Sequence, residues 1–237
     1  MFNEKYNNSI EMFDLTHILT LVFMTLVIIT LCIFKNHFKK KKNDRIFRYS
    51  LASFLLVMEI GWHIWNITLN TYTIDLMPIT GLCAIINLLT IIALYTNNRK
   101  LISIIFYWAH VGAFFSLVFI DMAYTIPHFR YFHYFFVHFG FLLGNLYYYL
   151  TDRLILTRKY INISCIIILS IVLIALPFNL IFDKNYFYLL ESPVKEVSDF
   201  FGLPWYTICW IIAIGLMLNG IYYMYRGINK LRKINNN

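Results

Sequence analysis

The sequence predicts an all-α fold: a polytopic membrane bundle of seven transmembrane helices, with the N-terminus outside and the C-terminus cytoplasmic. Three observations carry that expectation. First, 60% of the 237 residues are apolar and 14% are charged, against about 45–50% and about 25% in soluble domains. A soluble fold of this length cannot hide so much apolar surface in one core. Second, apolar stretches of the length that crosses a bilayer as a helix, roughly 20 residues, recur with short connections between them. Third, Lys and Arg alternate in density from one connection to the next. Soluble enzyme, disulfide-rich secreted scaffold and disordered tail are excluded.

The spans are expected near 17–34, 49–69, 77–96, 101–121, 132–151, 161–182 and 204–225. The first follows a segment carrying Glu4, Lys5, Glu11 and Asp14. A cleavable signal peptide begins with a positive region instead, so this span is expected to stay in the mature protein. The second contains Glu59, His63 and Asn66, which share one helical face at spacings of four and three. The third opens on Pro78-Ile79-Thr80-Gly81-Leu82, expected to loosen its first turn, and carries Cys83 and Asn87 four apart. The fourth has His110 on a face with Tyr107 and Ser103, beside the small residues Ala109, Gly112, Ala113 and Ser116, which suit close helix contact. The fifth places His138 with Phe141, Leu142, Asn145 and Tyr149. The sixth and seventh offer Asn179 and Asn219, to which no chemical role attaches. Neither a low-complexity linker nor an internal repeat interrupts residues 1–237, so one transmembrane domain is expected, unlike the inverted-repeat transporters.

Orientation follows from charge. Sixteen of the twenty Lys and Arg fall in 35–48, 97–100, 152–160 and the C-terminal tail, where the acids are Asp44 and Asp152. The other side has Lys5, Arg130, Lys184 and Lys195 against nine acids. By the positive-inside rule the first set is cytoplasmic, which requires an odd number of spans when the N-terminus is outside. The net charge of +8 is therefore a topology signal and an attraction to anionic lipid headgroups. Membrane lipids are the expected partners, with no nucleic acid, and the location is the cell membrane. Richness in Ile, Asn, Lys, Phe and Tyr suggests an AT-rich, bacterial genome.

Ionisable side chains inside a span cost roughly 2.5–3.5 kcal/mol each on insertion scales and usually mark a site. Glu59, one turn from His63, is suited to hold a ring nitrogen and fix its tautomer. Counted from the outer ends of their spans, His63, Cys83 and His138 fall at one depth in the outer leaflet. Just above lies Pro127-His128-Phe129-Arg130-Tyr131-Phe132-His133, where His128 and Arg130 are suited to a phosphate or lipid headgroup; a snorkelling Arg in an aromatic belt is the structural counterpart. His110, Asn66 and Asn87 complete the candidate substrate contacts. No His-x₃-His or His-Glu-x-x-His spacing supports a metal, and no cofactor is implied. Cys32, Cys165 and Cys209 are assigned to packing, all within apolar stretches.

Thr16-His17-Ile18-Leu19-Thr20, Glu59-Ile60-Gly61-Trp62-His63-Ile64-Trp65, the Pro78-to-Cys83 approach, Pro127-His128-Phe129-Arg130-Tyr131-Phe132 with His138, and Asp199-Phe200-Phe201-Gly202-Leu203-Pro204-Trp205-Tyr206 together resemble the YwaF-type bacterial integral membrane proteins. The match runs in order over nearly the whole chain. That group is distantly similar to eukaryotic multi-span acyltransferases that move polyunsaturated acyl chains between phospholipids, for which a membrane-embedded Cys and His are proposed. The resemblance implies catalytic roles for His138 and Cys83.

Two functions fit these residues. In one, Cys83, or an acceptor hydroxyl or amine, attacks a lipid acyl chain, with His138 or the Glu59-backed His63 as general base. In the other, Glu59, His63, His110 and His138 carry a proton or hold a solute in a transporter, channel or sensor.

Overall fold

The structure, a computed structural model, describes residues 2, 9–77, 80–120, 122–192 and 194–234. Every regular element among them is helical. The long helices are α1 (Leu15–Ile33), α3 (Lys41–Thr68), α4 (Leu82–Thr96), α5 (Arg99–Val118), α6 (Phe129–Leu150), α7 (Arg158–Phe182) and α9 (Trp205–Ile234), with short α2 (Lys35–Phe38) and α8 (Lys195–Phe201) in the connections. Five of these, α1, α3, α5, α7 and α9, are long and apolar enough to cross a membrane, and α4 is apolar but shorter. Their lipid-type exteriors are plain: Leu19, Phe23, Leu26, Ile174, Ile181 and Leu216 are all exposed.

The chain packs as two compact units, Met1–Leu154 and Ile155–Asn237. In the first, α6 packs against α1, α3, α4 and α5, and α4 lies against both α3 and α5. That central place explains the composition of α6. Most of its residues are buried by protein, among them Tyr134, Phe135, Phe141, Tyr147 and Tyr148. A helix shielded from lipid on most sides can carry histidines, Asn145 and tyrosines. Glycine sets the closeness of the packing. A Cβ at Gly140 would come within 2.5 Å of Leu55 Cδ2, and one at Gly144 within 3.1 Å of Thr90 Cγ2. Beside them Asn145 Nδ2 donates to Thr90 Oγ1 at 3.2 Å, joining α6 to α4.

α1 touches α6 through a narrow stripe, His17, Met24 and Leu31 being its buried residues. Asp14 caps it by accepting from the His17 N–H at 2.6 Å. α3 starts at Lys41 rather than near 49, so its first two turns extend beyond the apolar stretch. α4 starts at Leu82 rather than near 77, with Gly81 as an extended N-cap. Ahead of it, Ile74–Leu76 form a 3₁₀ turn, and the Thr80 hydroxyl donates to the carbonyls of Asp75 and Met77. Pro78, expected to loosen the first turn, lies outside the described residues, as do Glu4, Lys5 and Asp121. Helices α4 and α5 meet in a tight reversal: Asn97 is left-handed, with φ 52°, and Asn98 caps α5 by accepting from the Leu101 N–H.

The basic end of this unit is tied by ions. Buried Asp44 accepts from Arg48 Nε at 3.2 Å, from the Tyr147 hydroxyl at 2.7 Å and from Arg153. Arg48 also donates to the Leu94 carbonyl, and Lys39 pairs with Asp152. Both acids of the basic connections are thus engaged, and 35–48, the α4 end and 147–153 are held together.

In the second unit α7 packs against α9. Asn219 Nδ2 donates to the Gly215 carbonyl and approaches Cys165 Sγ at 3.8 Å. Asn179 closes the reversal after α7, donating to the Tyr186 carbonyl and accepting from the Tyr186 N–H, each at 3.0 Å. Asp199–Tyr206 spans the junction of α8 and α9, where Gly202 has φ 64°, a conformation that favours glycine.

Candidate functional site

The polar residues of the first unit gather at the end of α3 and α5 and the start of α4 and α6, opposite the basic end. On α3, Glu59 and His63 face one another across a turn, with Glu59 Oε1 3.4 Å from His63 Nε2. That is ion-pair range without hydrogen-bond alignment: both His63 ring nitrogens are buried and lack a hydrogen-bond partner among the described residues. The other Glu59 oxygen accepts from Asn87 Nδ2 at 2.9 Å, bridging α3 to α4. This bond orients the Asn87 amide and leaves its Oδ1 buried, with no hydrogen-bond partner among the described residues.

Cys83 is in the first turn of α4, one turn before Asn87. Its sulfur lies 3.7 Å from Ser116 Oγ on α5, above Gly112, where a Cβ would stand 3.6 Å from Sγ. Gly81, the N-cap residue, makes no side-chain capping bond to the first-turn N–H groups beside Cys83. The Ser116 carbonyl accepts from the Tyr134 hydroxyl at 2.7 Å, and the Tyr134 ring packs against the His138 ring at 4.5 Å. Cys83 and His138 are therefore joined through Ser116 and Tyr134. Cys83 makes no hydrogen bond to a histidine among the described residues.

The histidine tautomers follow from their partners. His138 Nδ1 meets the Tyr134 carbonyl at 2.7 Å; a carbonyl only accepts, so Nδ1 carries the proton and Nε2 of the neutral ring is the base. His110 Nδ1 donates likewise to the Phe106 carbonyl at 2.7 Å. His133 is the reverse, because a guanidinium only donates. Arg130 gives Nη1–H to its Nδ1 at 2.8 Å, so its proton sits on Nε2, a buried donor without a hydrogen-bond partner among the described residues. His133 stacks on Trp62 at 4.9 Å.

Arg130 lies over the Trp62 ring at 4.1 Å and near the Tyr134 ring at 5.6 Å, a cation–π position. His128 is the α6 N-cap, its Nδ1 accepting from the Arg130 N–H at 3.1 Å, and its buried ring stacks on Tyr124 at 4.1 Å. Asn66 is tied locally, donating to the Trp62 carbonyl and accepting from the Thr71 hydroxyl. His17 is also structural: Nδ1 accepts from the Phe13 N–H at 3.0 Å and Nε2 donates to the Leu117 carbonyl at 2.7 Å.

The structure thus brings together Glu59, His63 and Asn87 in one group, and Cys83 with His138 through intermediaries. It places Arg130 against His133, and sets His128 and Asn66 in capping and turn positions. Sequence reasoning passed over Ser116 and Tyr134 as connectors, His133 as a stacked donor, and Asp44 as the hub of the basic end. His133 was visible as the residue one turn after Arg130. Asp44 was visible as an acid alone among seven bases in 35–48.

Long apolar helices, with ionisable groups gathered at one end of the first unit, define an integral membrane protein. The chain belongs to the TMEM164 family, a multi-span membrane family whose model matches residues 12–225. No curated protein and no solved structure matches it.

Proposed function

We propose that this is a seven-span cell-membrane protein, N-terminus outside and C-terminus cytoplasmic, that transfers acyl chains between membrane lipids at a Cys/His site open to the outer leaflet. On this reading it is of the YwaF type and shares its chemistry with the eukaryotic multi-span acyltransferases. The observation that carries it is the connection of Cys83, at the head of α4, through Ser116 and Tyr134 to a His138 whose Nε2 is the basic nitrogen.

The thiol proton passes to His138 Nε2, the sulfur attacks the ester carbonyl carbon, and the first-turn N–H groups of α4 meet the developing oxyanion. The C–O bond then breaks, and His138 returns the proton to the departing lipid oxygen, leaving the acyl group as a thioester on Cys83. An acceptor completes the transfer and frees the thiol. Catalytic contacts tighten when substrate enters, and the proposal puts that closure between Cys83 Sγ and His138 Nε2. The exposed apolar flanks of the helices suit a substrate that arrives within the bilayer.

The test is lipid analysis of cells with and without the protein, complemented by wild type, Cys83→Ala or His138→Ala. Wild type is expected to restore an acyl pattern that neither variant restores. Unchanged phospholipid and lipoprotein acyl composition on deletion refutes the acyltransferase, and a pH-dependent flux lost in His138→Ala would then establish the transport alternative. Retained activity in Cys83→Ala alone would indicate direct transfer without a thioester.

A further inference from the structure

Cys83 and Asn87 stand one turn apart on α4, between two different bases. On the α5 and α6 side lies His138, reached through Ser116 and Tyr134, with a neutral carbonyl as its Nδ1 partner. On the α3 side lies His63, with the Glu59 carboxylate at 3.4 Å from Nε2. An imidazolium formed at His63 would have a counter-charge beside it; one formed at His138 would have only a carbonyl dipole.

The two halves of an acyl transfer make unequal demands. An alcohol is a weaker acid than a thiol by about seven powers of ten. A carboxylate that orients the histidine and stabilises its cation belongs with the harder deprotonation. Glu59 also accepts from Asn87 Nδ2, which turns Asn87 Oδ1 away as a fully buried acceptor without a hydrogen-bond partner among the described residues. A donor group on an incoming molecule would satisfy it.

We infer that Glu59, His63 and Asn87 form the centre that activates the acyl acceptor, an alcohol O–H, while His138 serves the thiol; this rests on the acyl-enzyme reading of Cys83. A proton on His63 Nε2 faces the Glu59 carboxylate at 3.4 Å, so Nδ1 takes the acceptor's proton as its oxygen attacks the thioester carbon. The C–S bond breaks, the new ester forms, and the proton taken by His63 is released to solvent or passed on to the departing sulfur. His63 touches the reacting hydroxyl, whereas Glu59 acts through it as a positioning residue and Asn87 orients the acceptor.

The experiment follows full-length protein in phosphatidylethanolamine and phosphatidylglycerol vesicles, with a radiolabelled acyl chain on the donor lipid and a lysophospholipid as alcohol. Label on Cys83 and label in product are read separately. Wild type should pass label through Cys83 to product. Glu59→Gln and His63→Gln should still load Cys83 but lose transfer by about 100-fold or more, so that labelled thioester accumulates. Glu59→Asp should regain part of the transfer, and His138→Ala should fail to load. A merely structural role would depress loading and transfer together, and that result, or wild-type transfer in both Gln variants, overturns the assignment. If wild type transfers label without ever carrying it on Cys83, the acyl-enzyme reading fails and the assignment fails with it.

Discussion

Asp44 offers the sharpest test of the packing. Its side chain and that of Arg48 are each 7% exposed, and Arg153 is 18% exposed, so two guanidinium groups share one carboxylate away from water. At an effective dielectric constant of about 20, a unit pair about 4 Å apart interacts by about 4 kcal/mol. Desolvation cancels much of that gain, yet removing the carboxylate alone leaves the buried Arg48 cation facing the half-buried Arg153 cation. Asp44→Ala is therefore expected to destabilise the protein by about 3–5 kcal/mol, including loss of the Tyr147 hydroxyl bond. Adding Arg48→Met in the same chain should return part of that loss, because an apolar replacement of the partner removes the stranded charge. The Lys39–Asp152 pair is the internal control: its side chains are 39% and 68% exposed, and Asp152→Ala should change stability by no more than about 1 kcal/mol. The assay is reversible SDS denaturation of the purified protein in phospholipid bicelles, followed by tryptophan fluorescence. A loss below about 1 kcal/mol for Asp44→Ala, equal to that for Asp152→Ala, would refute the reasoning, since it would mean that water already solvates the cluster.

Two further outcomes are expected. Gly140→Ala puts a Cβ 2.5 Å from Leu55 Cδ2 and should destabilise by about 1–3 kcal/mol in the same SDS titration; Leu55→Ala added to it should be milder than the two losses combined, and a neutral Gly140→Ala would contradict the α3–α6 contact. In a chain whose four cysteines are replaced by serine, Thr73→Cys should react with a membrane-impermeant maleimide in intact cells, whereas Lys42→Cys should react only after permeabilisation. The opposite pattern would invert the proposed orientation.

How much of this was legible beforehand depends on the kind of signal. Uninterrupted apolar length is a local property, set by the need to satisfy every backbone group within lipid, so the positions of the long helices could be read directly. The Glu59–His63 proximity was equally local, since residues four apart lie one above the other on a helix. Helix ends were less legible: α3 begins two turns early because its first turns are held by ions rather than by apolar character, and α4 begins only at Leu82, after the 3₁₀ turn at Ile74–Leu76.

The sequence by itself determined that this is a helical membrane protein with its charges segregated by connection, because composition and period alone dictate what lipid will accept. Only the tertiary structure decided that α6 is the shielded centre, that Asn87 answers Glu59 from another helix, and that Cys83 faces Ser116 rather than a histidine. Those facts depend on which helix face meets which neighbour, and that choice rests on steric fit at Gly140, Gly144 and Gly112. Spacing along one helix carries no record of it.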